Sequence, residues 1–260
     1  MTTRLLVGTE KGLFTLESPD RGDWKLVSQD PEHKGWQVYS LYAQPGGDVF
    51  VGLSNAFYAP HLQRSSDGGR SWTPIEHSPR FPEGSERELK QVWSVKAAGD
   101  RLLCGVAHAA LFESSDGGET WEWNPGLEGH PSRPRWQPGA GGLCLHTIVP
   151  DAKNPDRLFI GISAVGVFRT DDGGKTWNLK NKGIRNLFQQ EGQPEFMEAE
   201  DTCCVHKFVQ DPTSPDTLYQ QNHAGIFRST DAGDSWHPIE NGLPSKFGFP
   251  IVMLSLIHIS

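Results

Sequence analysis

Ten histidines occur in the 260-residue chain, and four of them fall into two pairs of matching context. His146 and His206 lie in LCLHTIV and CCVHKFV, and His108 and His223 in AHAALF and NHAGIF. Imidazole titrates near neutrality and carries a nitrogen lone pair. Histidines gathered beside carboxylates can therefore act as general acid and base or hold a divalent metal. No HExxH or similar local spacing accompanies them, so the expected metal set is none and no cofactor is assigned. The plainer reading has His146 and His206 hydrogen-bonding between adjacent strands, with His108 and His223 as polar loop residues.

Carboxylates are concentrated in two stretches: Glu83, Glu86 and Glu88 in one, and Glu195, Glu198, Glu200 and Asp201 in the other. A glycosidase needs two of them facing each other, about 5–10 Å apart, and sequence does not show such a pairing. The catalytic residues are left unknown, with His146, His206 and Glu195 as candidates. The segment GHPSRPRWQPGAGGLCLH, Gly129 to His146, combines His130, Arg133, Arg135 and Trp136 with a flexible glycine run. An indole face beside guanidinium forks suits a sugar or an anionic ligand; the alternative is a loop plugged by Trp136. SNAFYAPH, which ends at His61, and QNHAG, which contains Asn222 and His223, are expected to flank the same mouth. The expected ligand-binding set is Arg133, Arg135, Trp136, His108, His223, His61 and Asn222.

The elements that must position these residues are marked by an eight-residue phrase that occurs four times: SSDGGRSW from Ser65, SSDGGETW from Ser114, TDDGGKTW from Thr170 and STDAGDSW from Ser229. A weaker copy, SPDRGDW, starts at Ser18. Each reads as a tight turn closing a hairpin. Asp67, Asp116, Asp172 and Asp231 accept from downstream N–H groups, and Gly69, Gly118, Gly174 and Gly233 supply positive φ. Trp72, Trp121, Trp177 and Trp236 then open the next strand with a ring large enough to cover the hairpin base.

Successive phrases lie roughly 50–60 residues apart, close to the roughly 40–50 residues of a propeller blade. In one unit, Leu143–Val149 is expected as the inner strand, followed by Asp156–Ile162, Gly166–Thr170 and Trp177–Leu179. Val92–Lys96 with Arg101–Val106, and Cys204–Val209 with Thr217–Gln221, are the counterparts in the neighbouring units. This alignment sets His146 and His206 level with Ser40 and Ser94. The second strands are apolar at successive positions, as in sheets covered on both faces. The excess length falls in Pro74–Gln91, Asn124–Gly142, Asn178–Thr202 and His237–Phe247. Long loops on one face of a rigid scaffold are where binding is usually placed.

The first unit, Arg4–Val27, lacks an inner strand, and Phe249–Met253 reads as the inner strand of a further one. The expected domain is a propeller over 1–253 that is incomplete at its C-terminus. The uncharged 254–260 segment is expected to be a non-native tail.

The repeated phrase is the Asp-box, and the chain resembles Asp-box (BNR-repeat) β-propellers, a group that includes sialidases, sortilin-like receptors and photosystem assembly factors. The resemblance implies an all-β fold: a β-propeller of four-stranded blades with Asp-box turns, six or seven blades when complete and truncated here. It also implies that the boxes sit on outer turns, away from the functional face. Sialidases of this group hold a carboxylate with three arginines, one in an Arg-Ile-Pro context, and use a tyrosine nucleophile paired with a glutamate. Here Arg4 precedes Leu5 and Leu6, and Arg80 precedes Phe81 and Pro82. The four tyrosines, Tyr39, Tyr42, Tyr58 and Tyr219, lie in or near early-strand patterns. These departures speak against a sialidase.

The net charge of −8 and pI near 5.7 argue against nucleic acid or an anionic membrane as partner, and no apolar run is long enough to span a bilayer. The start, MTTRLLVGTEKGLF, lacks the pattern of a secretory signal, so a cytoplasmic location is expected. Cys104, Cys144, Cys203 and Cys204 have no spacing that suggests a disulfide framework or a zinc site and are read as reduced. The leading expectation is a sialidase-like binding propeller for a glycan, small polar ligand or protein segment. A glycoside hydrolase or lyase comes second and a protein-assembly factor third.

Overall fold

In the computed structural model, residues 2–29, 33–185 and 202–254 are described. They form five antiparallel sheets. The first is β1 (Thr3–Thr9), β2 (Gly12–Ser18) and β3 (Lys25–Gln29). The second is β4 (Gln37–Ala43), β5 (Val49–Ser54), β6 (His61–Ser65) and β7 (Thr73–Pro74), and the third is β8 (Gln91–Ala98), β9 (Arg101–Ala107), β10 (Ala110–Ser114) and β11 (Glu122–Trp123). A short helix, α1 (Pro125–Glu128), and a 3₁₀ turn, Arg133–Arg135, lead into the fourth sheet. That sheet is β12 (Leu145–Pro150), β13 (Leu158–Ile162), β14 (Gly166–Thr170) and β15 (Asn178–Leu179). The fifth is β16 (Lys207–Gln210), β17 (Leu218–Asn222), β18 (Gly225–Ser229) and β19 (His237–Pro238). In every sheet, spatial order follows chain order. The residues divide into two compact units, Met1–His108 with Phe112–Trp123, and Ala109–Leu111 with Asn124–Ser260.

The boxes fold as their residue types require. In the third, Thr170 Oγ1 donates to Asp172 Oδ1 at 2.7 Å and accepts from Gly174 N at 2.9 Å. Asp172 also accepts from Thr176 N at 2.9 Å and Thr176 Oγ1 at 2.6 Å. The same pattern recurs around Asp67, Asp116 and Asp231. Asp20 in the weaker copy accepts from Ser18, Gly22 and Asp23. Trp72, Trp177 and Trp236 are buried, while Trp121 is half-buried and donates to Gly118 O at 3.0 Å.

The second strands form the interior. All residues of β5 and β13 are buried, and only Arg101 of β9 is not. Within the second unit, Phe159, Val167, Val205, Phe208, Leu218, Phe227 and Trp236 share one apolar cluster. Gly161 of β13 lets the fifth sheet come close, since a Cβ there would lie 2.9 Å from the Phe208 ring. Burying rings of this size between sheets is worth about 2–3 kcal/mol each.

Two sequence expectations change. The inner strands of the second, third and fourth sheets each carry an irregularity, between Val38 and Ser40, Val92 and Ser94, and Leu145 and Thr147. Ser40, Ser94 and Thr147 all oppose a glycine of the second strand, and Lys207 occupies the same register opposite Gln221. His146 and His206 are therefore level with Tyr39 and Trp93, not with Ser40 and Ser94. The irregularity falls at the same place in all three strands, directly before the residue that faces the glycine, and this fixes their common register. Phe249–Met253, expected as an inner strand, is not one. An inner strand is held by its own second strand, and none follows it among the described residues.

Candidate functional sites

In the first unit, a groove of about 1170 Å³ is lined by the β5–β6 connection and by residues from Arg80 to Gln91. Asn55 builds its rim. Its Oδ1 accepts from Phe57 N at 2.8 Å and Tyr58 N at 2.7 Å, a turn in which an Asx side chain imitates the backbone. That turn leaves Phe57 89% and Tyr58 69% exposed. Trp36 lies beside the Tyr58 ring at 5.9 Å and meets His61 edge-on at 4.9 Å. Burial lowers the basicity of His61 and outweighs the Ala59 carbonyl that its ring contacts, so its neutral form is favoured.

The opposite wall is built on cation–π contact. The Arg87 guanidinium lies 5.0 Å from the Phe81 ring centre and 4.5 Å from that of Trp123, which fixes a flexible cation in place. Arg80 and Glu88 are exposed on the same wall. Ser54 lines the groove with a buried hydroxyl that has no protein partner, the kind of group that asks for a ligand or water.

In the second unit, His206 and His223, one from each of the two matched pairs, meet. His206 Nε2 and His223 Nδ1 are 3.1 Å apart, with the rings edge-on and 4.1 Å between centres. Cys204 joins them, the three ligand atoms lying within 4.8 Å of one another. Asn222 Oδ1 accepts from Ala224 N at 2.7 Å and so shapes the turn that carries His223. Gln221 donates to Lys246 O at 2.9 Å, bringing in the strand-free segment whose Gly248 carbonyl lies 2.6 Å from His206 Nδ1. Phe249 stacks on His206 at 4.5 Å and Phe247 lies 5.4 Å from His223. Burial raises the Cys204 thiol against the pull of the Ala164 N–H that donates to it, and burial beside His206 lowers His223.

His146 has both nitrogens engaged, Nδ1 with Thr147 Oγ1 at 2.8 Å and Nε2 with Val205 O at 2.9 Å. Enclosure takes its pKa down to about 4, which makes the ring a neutral tie between the fourth and fifth sheets. Trp136 is buried, donates to Ser132 Oγ at 2.7 Å and packs on Phe168 and the Arg133 guanidinium. Arg133, expected to flank a ligand-facing indole, instead covers an interior one, because a 3₁₀ turn folds the segment back on the β14 face. His130 contacts Trp136 and Phe168. Arg135 is exposed, and His108 stands half-buried at the β9–β10 turn. Glu195, Glu198, Glu200 and Asp201 lie outside the described residues, as does all of the 254–260 segment except Leu254.

Sequence reasoning missed Cys204 and most of the groove. Cys204 is separated from His206 by one residue, a spacing that could have flagged the pair. The groove's Arg80 and Phe81 were read only against the sialidase arginine context, and Arg87 was not singled out within the Pro74–Gln91 loop.

Comparison with known proteins supports the repeat and the fold. The BNR/Asp-box repeat model matches residues 168–179, and no curated protein matches the chain. Among solved structures, an ancestral GH74 enzyme is 16% identical, with 78% of this chain and 24% of that one covered and a TM-score of 0.52. The GH74 xyloglucanase from Xanthomonas campestris is 16% identical over 91% of this chain and 44% of its own, with a TM-score of 0.51. The WD40 beta propeller domain of Doa1 is 10% identical over 89% and 63%, with a TM-score of 0.53. The chain spans less than two thirds of each of these structures, and at such identities the likeness is one of fold. With its antiparallel sheets and its four Asp-box turns, the chain is a BNR-repeat, β-propeller-like protein.

Proposed function

We propose that the chain is a binding propeller that takes a glycan in the groove of its first unit. The observation that carries this reading is the pair of rings, Phe57 and Tyr58, held out over the groove by Asn55 and facing a wall that carries Arg80 and Arg87. Exposed rings of this size cost solvation unless something covers them, and sugar C–H faces stack on aromatic rings while their hydroxyls pair with guanidinium, carboxylate and serine groups. Ser54 supplies an unpaired hydroxyl at the same place. A hydrolase would need two facing carboxylates, and Glu88 is the one carboxylate among the described lining residues, which favours binding over cleavage.

Titration calorimetry with neutral and acidic oligosaccharides tests this, xyloglucan fragments included because a fold relative is a xyloglucanase. Tyr58→Ala and Arg87→Ala should each weaken binding about tenfold, the size of one lost stacking or charge-assisted contact. Tyr58→Ala should leave the melting temperature unchanged, because its ring is exposed. Binding indifferent to both substitutions, or no heat with any glycan, would reject the groove as a sugar site.

A further inference from the structure

We propose that Cys204, His206 and His223 form a zinc-type metal site in the second unit, independent of the groove. Their ligand atoms already lie within 4.8 Å of one another, and His206 Nε2 is 3.1 Å from His223 Nδ1. Tetrahedral zinc, with Zn–N near 2.0–2.1 Å and Zn–S near 2.3 Å, sets its nitrogens about 3.3 Å apart and sulfur about 3.6 Å from nitrogen. The nitrogen spacing is already close to that of a zinc pair; the rings, whose centres stand 4.1 Å apart edge-on, turn so that both lone pairs meet at the ion, and Cys204 approaches by about an ångström.

The surroundings fix the tautomers as a metal would require. His206 Nδ1 faces the Gly248 carbonyl at 2.6 Å, and a carbonyl can only accept, so the proton sits on Nδ1 and the lone pair on Nε2. A backbone carbonyl behind a ligating imidazole orients the ring and raises its basicity. Without metal, His223 Nδ1–H donates to that lone pair. When a dication enters, the His223 proton moves to its own Nε2 through solvent, and Nδ1 turns its lone pair to the ion. Cys204 gives up its thiol proton to solvent as the metal–sulfur bond forms, so one proton is released for each ion bound.

One thiolate and two imidazoles suit zinc or cobalt and disfavour magnesium and calcium, which take oxygen ligands. Three protein ligands leave a position for water or an exogenous donor, as in catalytic zinc sites. Phe247 and Phe249 pack against the histidine rings and shield one side of the site from solvent.

The test uses the whole chain with Co²⁺ and Zn²⁺ as probes. Titration with Co²⁺ should give a near-ultraviolet thiolate charge-transfer band that saturates at about one equivalent, and Zn²⁺ should bleach it by competition. Cys204→Ser should lose the band, and His223→Gln should lose saturable binding. Circular dichroism without metal shows whether either variant has unfolded. The wild-type spectrum decides the matter without them: cobalt bound with no thiolate band, or no saturable binding, would overturn the site. So would an unchanged band in a folded His223→Gln protein.

Discussion

The Trp236 indole donates from Nε1 to the Lys180 carbonyl at 2.8 Å, while its backbone N–H reaches the Lys182 carbonyl at 2.9 Å. The box tryptophan of the fifth sheet is thus fastened to the chain leaving the fourth, and Trp177 does the same with Asn124 Oδ1 at 3.2 Å. Lys180 adds an ion pair to Asp234 from the next box, shared with Arg169. The fourth and fifth repeats are each tied to the one before by the tryptophan of the repeated phrase itself, and there a local motif becomes a stacking device.

This geometry separates packing from hydrogen bonding. Trp236→Phe keeps most of the buried ring and leaves the Lys180 carbonyl without its donor, so it should cost about 1–3 kcal/mol. Trp236→Ala also opens a cavity at a site only 2% exposed and should cost about 3–5 kcal/mol. Urea unfolding of both variants measures the two contributions. Equal losses would mean that the ring's volume adds nothing to the tie.

Acid should loosen the box turns. Hydrogen bonds from Thr176 and Thr170 hold the Asp172 carboxyl far below its ordinary 3.8, and Asp67 and Asp116 are lowered in the same way. A folded-state pKa below the unfolded one means that the unfolded chain binds protons first. The stabilisation is therefore complete above the unfolded value and is lost as pH falls below 3.8 toward the folded value. Asp172→Asn should lower stability at neutral pH and flatten the loss between about pH 4 and pH 2. Denaturation midpoints at several pH values check this. An unaltered acid slope in the variant would show that Asp172 does not contribute to it.

The boxes were fully legible because their chemistry is local: a hydroxyl, a carboxylate and a glycine within five residues close the turn wherever the chain places it. The second strands were legible for a related reason, since burial on both faces writes an unbroken apolar run such as LFIGI. The level of His146 and His206 was not. It depends on which inner-strand residue pairs with the second-strand glycine, Ser40, Ser94 or Thr147, a pairing that no distinctive residue type marks. Cys204 escaped for a third reason: its one-residue spacing marks only the pair with His206, and its approach to His223 across two strands and a turn is measured by no spacing in the sequence. Trp136 was misleading because a neighbouring arginine such as Arg133 looks the same in the sequence whether it frames a ligand or covers an interior ring.

The turn into β14 is tightly built. Gly166 has φ of 132°, and a Cβ there would fall 1.8 Å from Asn181 Nδ2. Asn181 is 2% exposed and cannot step aside freely, since it accepts from Val167 N at 2.9 Å and donates to Val165 O at 3.0 Å. Gly166→Ala should therefore cost on the order of 1–3 kcal/mol from the backbone alone, and more from the collision. Asn181→Gly removes the obstacle but orphans two buried backbone groups, at about 1–3 kcal/mol. Adding Gly166→Ala to that background should then cost only the backbone share, and the difference between the two measurements is the coupling of the pair. If Gly166→Ala costs the same with and without the Asn181 side chain, the collision is relieved elsewhere and the strain belongs to the backbone.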